Sequence, residues 1–309
     1  MTDAMQFAVE TWAPDYGSSI EADLDLSTQL VDAGVEVADS DWSPIDPRPE
    51  LPRPGRMLFV DGVRRVDARI WIARGASSTA ALCATIAAGV VCVEADRAQL
   101  VDARVMRGVF AHGVDLQAIA TSCGIYEPHE VAGATPEALV IAVQERMASL
   151  ESEATLAMGA ADIVLVDGPL RGRGQVRGAV GYVKTQHTQY LPPPLDGVVG
   201  RLGVGQRTPL FAIEGHWSRF SWYVRLPGVV THALAGIVRC EIGGEMDIDQ
   251  ACSIADAVTA VLPRFASQPH KDARAPQNLY PIAGLERELR RRLGDPALLE
   301  RALRVAAHR

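Results

Sequence analysis

Lysine and arginine are absent from the first 46 residues of this 309-residue chain. The charged start of a secretory signal is therefore missing, and a cytoplasmic protein is expected. No apolar run has bilayer-spanning length: the longest, Ala80 to Val93, is too short and is followed at once by Glu94 and Asp96. Cysteine is sparse and unpatterned. Cys83, Cys92, Cys123, Cys240 and Cys252 are odd in number and widely spaced, with no C-x-x-C pair and no nearby histidine ladder. That argues against a disulfide framework or a structural zinc site, and leaves most of them as small core residues. Also missing are a G-x-S-x-G nucleophile elbow and a phosphate-cradling G-x-x-x-x-G-K, and no repeat is visible beyond the recurring FVDG and LVDG.

What charge there is lies unevenly. Residues 1 to 56 hold 12 acids against Arg48, Arg53 and Arg56, a balance of −9, while the whole chain carries −8. The remainder is close to neutral, so the acidic total speaks only for the N-terminal segment and leaves room for a basic cleft elsewhere. Residues 40 to 56, SDWSPIDPRPELPRPGR, contain five prolines and read as an extended connection. Ahead of them, Leu24, Leu26, Leu30, Val31 and Val35 are spaced for one buried face of an appended helix. Two regions are expected: an acidic extension with its proline-rich connection over 1–56, and a main domain over 57–309.

The main domain opens with strand signals. MLFVDG reads as a short buried strand, RIWIA as a second after a turn, and the Ala- and Val-rich stretch over 80–95 as a third, which together suggest an antiparallel start. Thr135-Pro136-Glu137 has the form of a helix start, with Thr135 as cap, and the helix should run to about Met158. IVLVDG follows as a strand, then a Gly/Arg loop and AVGYVK. TPLFAIEG and SRFSWYVRLP read as paired strands and ALAGIVRCEI as another; Asp249–Leu262 and the Arg-rich Leu285–Arg304 have helical spacing. The order predicts a mixed α/β sheet flanked by helices.

Asp61 in LFVDG and Asp167 in VLVDG hold equivalent places, each after an apolar strand and each before a glycine. A strand ending in Asp-Gly is also an everyday turn. Two such acids at one edge of an open sheet, however, form a ligand site, and a hard cation such as Mg²⁺ or Mn²⁺ removes their mutual repulsion. The helix between them supplies a third acid. Val143, Met147, Leu150, Ala154 and Met158 mark its apolar stripe; Glu151 falls within it, whereas Glu153 falls on the wetter side. Strand acid, helix acid, strand acid is the arrangement of RNase H-like nucleases, in which metal ions activate water and stabilise the leaving oxygen of a phosphodiester.

The ordered set FVDG, LESEA, VLVDGPL, GYVK, GVGQRTPLF, SWYVRLP and NLYPIAGLERELRRRLGD, over about residues 57–295, resembles the NurA nucleases. The resemblance implies an RNase H-like fold, manganese-dependent exonuclease and endonuclease activity on DNA, a homodimer, and partnership with the hexameric HerA translocase in DNA end resection. It makes Asp61, Glu151 and Asp167 metal carboxylates, matches Lys184 to a lysine that would hold the scissile phosphate, and matches Tyr280 to the tyrosine of the family's YP motif. Where many members have a histidine eight or nine residues further on, this chain has Glu288 and Leu289. Glu288 is either a substitute oxygen ligand or a surface partner of Arg291 or Arg292.

DNA contacts are expected from Arg171, Arg173 and Arg177 in the glycine-rich loop, unless that loop is simply solvated. Arg207, Trp222, Tyr223 and Arg225 interleave aromatic and cationic side chains, a pattern for stacking on unpaired bases that core aromatics and strand-edge arginines also produce. His187, His216 and His232 are isolated and take no metal role. Two other readings compete with the nuclease: an inactive dimer that only docks on its translocase, motivated by the missing histidine, and a sugar-kinase-like phosphotransferase, for which a second phosphate loop is lacking.

Overall fold

The computed structural model describes residues 7–9, 29–75, 77–95, 97–170, 176, 178–184, 188–215, 217–229 and 233–308. Three long antiparallel strands dominate it: β3 (Arg56–Arg74), β4 (Ser77–Glu94) and β5 (Arg97–Ala111). They are preceded by two short strands, β1 (Phe7–Val9) and β2 (Leu30–Asp32), and followed by β6 (Ile119–Thr121), β7 (Gly124–Glu130) and helix α1 (Pro136–Leu156). Next come β8 (Ile163–Asp167), β9 (Ala179–Val183), the short α2 (Asp196–Arg201), β10 (Phe211–Glu214), β11 (Arg219–Arg225) and β12 (Ile237–Gly243). Helices α3 (Ile248–Phe265), α4 (Tyr280–Arg292) and α5 (Pro296–Ala306) close the chain.

β8 lies parallel to β3, and β9 parallel to β8. The central order β5-β4-β3-β8-β9, three antiparallel strands then two parallel ones reached through α1, is the RNase H-like arrangement the sequence predicts. The sheet continues through β12, β11 and β10 to β2 on one side, and through β7 and β6 on the other, while β1 pairs with β3.

Strand periodicity sorts the two faces. Met57, Phe59, Ile163 and Leu165 pack with Ala255, Val258 and Leu262 of α3 and with Ile282 and Leu285 of α4. Leu58, Val60, Val164 and Val166 pack on the opposite face with Ala154 of α1. Successive side chains alternate across a strand, so Asp61 and Asp167 continue the rows that face α4.

Four sequence expectations are corrected. MLFVDG and RIWIA are not two strands joined by a turn: β3 runs unbroken through Asp61-Gly62, because β4 pairs with it along its whole length apart from a bulge between Val66 and Ala68. The expected helix over Leu24–Val35 is a strand where it is described, since Leu30–Asp32 completes the sheet edge against β10; Leu24 and Leu26 lie outside the described residues. The connection after it is extended but packed in, with Trp42 buried and donating from Nε1 to the Ala33 carbonyl at 2.9 Å. Leu285–Arg304 is two helices rather than one. Gly294 takes a positive φ of 82°, Asp295 caps α5 by accepting from the Leu298 N–H at 3.0 Å, and Pro296 fills its first position.

Candidate active site

β8 ends at Asp167 while β3 continues, so between Val60 and the β1 pairing at Ile70 one edge of β3 has no strand neighbour among the described residues. A cleft of about 180 Å³ opens there. Its floor is Asp61, Gly62 and Val63, with Asp167 at its side; Glu286 and Arg290 of α4 and Arg274 of the preceding loop form the other wall. Val60 pairs with Val166, so the next residue on each strand is one of the two acids, placed side by side. Lys184 follows directly on the end of β9, and its Nζ donates to Asp167 Oδ2 at 2.8 Å and to Asn278 Oδ1 at 2.9 Å. Three adjacent strands thus bring acid, acid and lysine to one edge.

The two Asp-Gly motifs need glycine for different reasons. Gly168 has φ 85°, a left-handed turn that releases the chain from β8, and its N–H donates to the Tyr182 carbonyl at 2.9 Å. Gly62 is extended, and its missing side chain leaves the space taken by the Glu151 carboxylate and Met147. Glu151 is 1% exposed on the α1 face of β3, as the helical stripe predicts, and does not line the cleft. Glu153 pairs with Arg146 at the surface, at 2.8 Å.

Burial first, and then the neighbouring Asp167 carboxylate, pushes the Asp61 carboxyl well above the usual carboxylate range. Glu151 and Glu286 add to this, and Lys184 works against it. Such a carboxylate group suits a hard divalent cation, whose charge would relieve the repulsion. Among the described residues no three His, Cys, Asp or Glu side chains are already gathered into a metal cage. The paired carboxylates of Asp61 and Asp167 fit such a cation by their donor chemistry, and without one the Lys184 ammonium supplies the positive charge beside Asp167.

Other expected site residues lie elsewhere. Arg207 is 2% exposed and Arg225 is 3% exposed, so neither can meet DNA. Arg207 is held between Asp256 Oδ1 at 2.6 Å and Glu36 at 2.8 Å. Arg225 donates to the carbonyls of Leu202, Ala235, Gly200 and Ala233, so its guanidinium is taken up by backbone acceptors at the end of α2 and before β12. Trp222 and Tyr223 are core residues. Glu288 does not line the cleft; it pairs with Arg291 and Arg292, whose hydrogen bonds push its carboxyl down to about 2. Tyr280 opens α4 with Lys271 Nζ 5.2 Å from its ring centre, outside the cleft. Arg171, Arg173 and Arg177, like His187, His216 and His232, fall outside the described residues.

Sequence reasoning missed Glu241, Arg274, Asn278 and Glu286. Glu241 is 1% exposed and accepts from the Leu170 N–H at 2.7 Å, which fastens the turn leaving Asp167; Arg239 and Arg219 hold it at 2.6 and 3.3 Å. Its signal was an Arg and a Glu two apart in the apolar strand IVRCEI. Glu286 is two residues from Glu288, about 200° round the helix at 100° per residue, which decides which of them faces the cleft. Burial opposes ionisation of Glu286, but hydrogen bonds from Arg274 and Arg290 hold its carboxyl below the usual range.

The NurA domain family model matches residues 56–291. This chain belongs to the NurA domain family. The match spans the whole cleft, from β3 to α4. No curated protein matches the chain. The NurA domain is similar to the crystal structure of the NurA nuclease from Sulfolobus solfataricus, at 11% identity and a TM-score of 0.48 over 82% of this chain and 84% of that one. It is more weakly similar to endonuclease V from Bacillus subtilis, at 13% identity and a TM-score of 0.34 over 76% and 79% of the two chains. A structure of NurA with manganese aligns at 18% identity and a TM-score of 0.18, over 41% of this chain and 23% of that one.

Proposed function

We propose that this NurA domain is a metal-dependent deoxyribonuclease, with Asp61 and Asp167 as the carboxylates that hold Mn²⁺ or Mg²⁺ and Glu151 supporting them from behind β3. The observation that carries the reading is the side-by-side delivery of the two acids by adjacent parallel strands into an open cleft. A cation bound there would activate water and neutralise charge on the leaving oxygen of a phosphodiester. Asp167 and Asp61 would orient it, and the two strands, paired along their apolar stretches, keep those carboxylates from swinging apart. Lys184 offers a point charge for the scissile phosphate beside Asp167. Asn278, fully buried, holds that ammonium in place by accepting one of its hydrogens.

The family resemblance supports the finer parts of the proposal: exonuclease and single-strand endonuclease action, a homodimer, and DNA end resection beside a HerA-type translocase. End-labelled DNA incubated with the purified chain is expected to be cut with Mn²⁺ and left intact with a chelator. Asp61→Asn and Asp167→Asn should each reduce cutting to the chelator level. If both variants cut as fast as the parent, the site is wrong.

A second reading is an inactive docking dimer, favoured by the Lys184–Asp167 pair at 2.8 Å and by Glu288 being turned away from the cleft. Calorimetry separates the two. Mn²⁺ binding that is lost in Asp61→Asn supports the nuclease, and no binding by the parent supports docking alone.

A further inference from the structure

The rim of the cleft carries a second polar system that the carboxylates do not explain. Arg274 Nη2 donates to Glu286 Oε2 at 2.6 Å, and Arg290 donates from Nε and Nη2 to Glu286 Oε1 at 3.1 and 2.9 Å. One half-buried carboxylate thus pins two guanidiniums, whose side chains remain 55% and 64% exposed. Each guanidinium has five donor hydrogens in a planar fork, so both retain donors toward solvent.

This pair is tied to the metal-site residues by an unbroken chain. Asn278, which holds Lys184, donates from Nδ2 to Asp272 Oδ2 at 2.6 Å, and Asp272 Oδ1 accepts the Arg274 backbone N–H at 2.8 Å. The position of Arg274 relative to Asp167 is therefore set by four consecutive polar contacts through a fully buried amide. A surface ion pair with no such tether exists for comparison: Arg304 with Glu300 on α5, at 2.6 Å.

A polynucleotide approaching this cleft meets Asp61, Asp167 and Glu286, which repel its phosphates. The backbone needs cations at the mouth, beside the reacting phosphate rather than on it, and guanidiniums fit phosphate oxygens two at a time. We infer that Arg274 and Arg290, aligned by Glu286, form a phosphate-binding clamp that seats the nucleotides flanking the cleavage point. This rests on the nuclease reading and assigns to that site two arginines of the rim.

The test measures binding of a fluorescein-labelled single-stranded oligonucleotide, with chelator present so that nothing is cut, by anisotropy over a series of KCl concentrations. Each phosphate contact on a single strand contributes about 0.7 to the slope of log affinity against log salt. The double variant Arg274→Ala/Arg290→Ala should lose about 1.4 of slope. Arg274→Lys/Arg290→Lys should recover most of it, and Arg304→Ala should match the parent. A double alanine variant with the parental slope overturns the clamp, and if the parent still cuts DNA with Mn²⁺ the nuclease reading survives alone. A parent that neither binds nor cuts overturns both.

Discussion

Asp61 tolerates burial only because of what surrounds it. At 6% exposure its carboxyl lies beside Asp167 and Glu286, with the Glu151 charge acting from behind β3 and Lys184 as the nearby cation, and each neighbour is placed by a different part of the chain. Gly62 is the most constrained position next to it. A Cβ there would overlap the Glu151 carboxylate and Met147 Cγ, so Gly62→Ala must displace these two side chains of α1 from β3. We expect a loss of about 1–3 kcal/mol, read from the urea midpoint, and a matching loss of Mn²⁺-dependent cutting because Glu151 moves. An alanine variant as stable as the parent would show that these side chains yield freely and that the close approach has no role.

Among the elements, α1 is a case where local signals suffice. Thr135 accepts from the Ala138 N–H at 3.2 Å, Pro136 starts the helix, and the stripe from Val143 to Ala154 is buried. Thr135→Ala should cost about 1 kcal/mol of stability. α4 depends on distant parts. Arg65 on β3 donates to the carbonyls of Leu293 and Gly294 at its end, at 3.2 and 2.8 Å, and so sets the helix that carries Glu286 across the cleft. The arginine of GVGQRTPLF belongs to another layer again. Arg207 joins the segment holding Glu36 to Asp256 of α3, and Arg207→Ala would strip Glu36 of this cation while Asp256 keeps Arg48 at 2.6 Å. Breaking a buried pair of this kind costs about 3–5 kcal/mol. The salt slope of DNA binding should not change in any Arg207 variant that stays folded.

At the scale of the molecule, residues 29–50 are integral to the sheet rather than laid beside it. β2 covers the edge of β10, Trp42 fills the core beneath it, and Glu36 completes the Arg207 network. A fragment beginning at residue 57 should therefore unfold at lower temperature than the full chain, with an open β10 edge prone to pairing between copies. Acid reaches the same joint. Burial works against ionisation of Glu36, but the hydrogen bond and charge of Arg207 hold its carboxyl below its ordinary 4.5. A lowered folded value means this contribution is complete above pH 4.5 and is lost as pH falls through the folded value. The stability gap between the parent and Glu36→Gln should thus be constant near neutrality and close in acid, as thermal melts across pH would register. Light scattering would test the homodimer that the family implies.

The sequence by itself determined what short-range periodicity and capping control. The start and buried face of α1, the strand that ends at Asp167, the antiparallel pair of β10 and β11, and the choice of Glu151 over Glu153 as the inward acid are all legible in runs of a few residues. The turn after Asp167 was legible too, because an Asp-Gly pair there takes the backbone conformation that glycine permits. Only the tertiary structure decided the rest. The identical local signal at Asp61-Gly62 lies mid-strand, since pairing with the distant β4 outweighs a turn preference of two residues. Arginine, which sequence assigns to surfaces, is interior at 207 and 225, where acids and carbonyls from remote segments satisfy it; the rim arginines 274 and 290 are defined by one glutamate. Periodicity is a property of neighbours along the chain, whereas charge compensation and strand register depend on residues that only folding brings together.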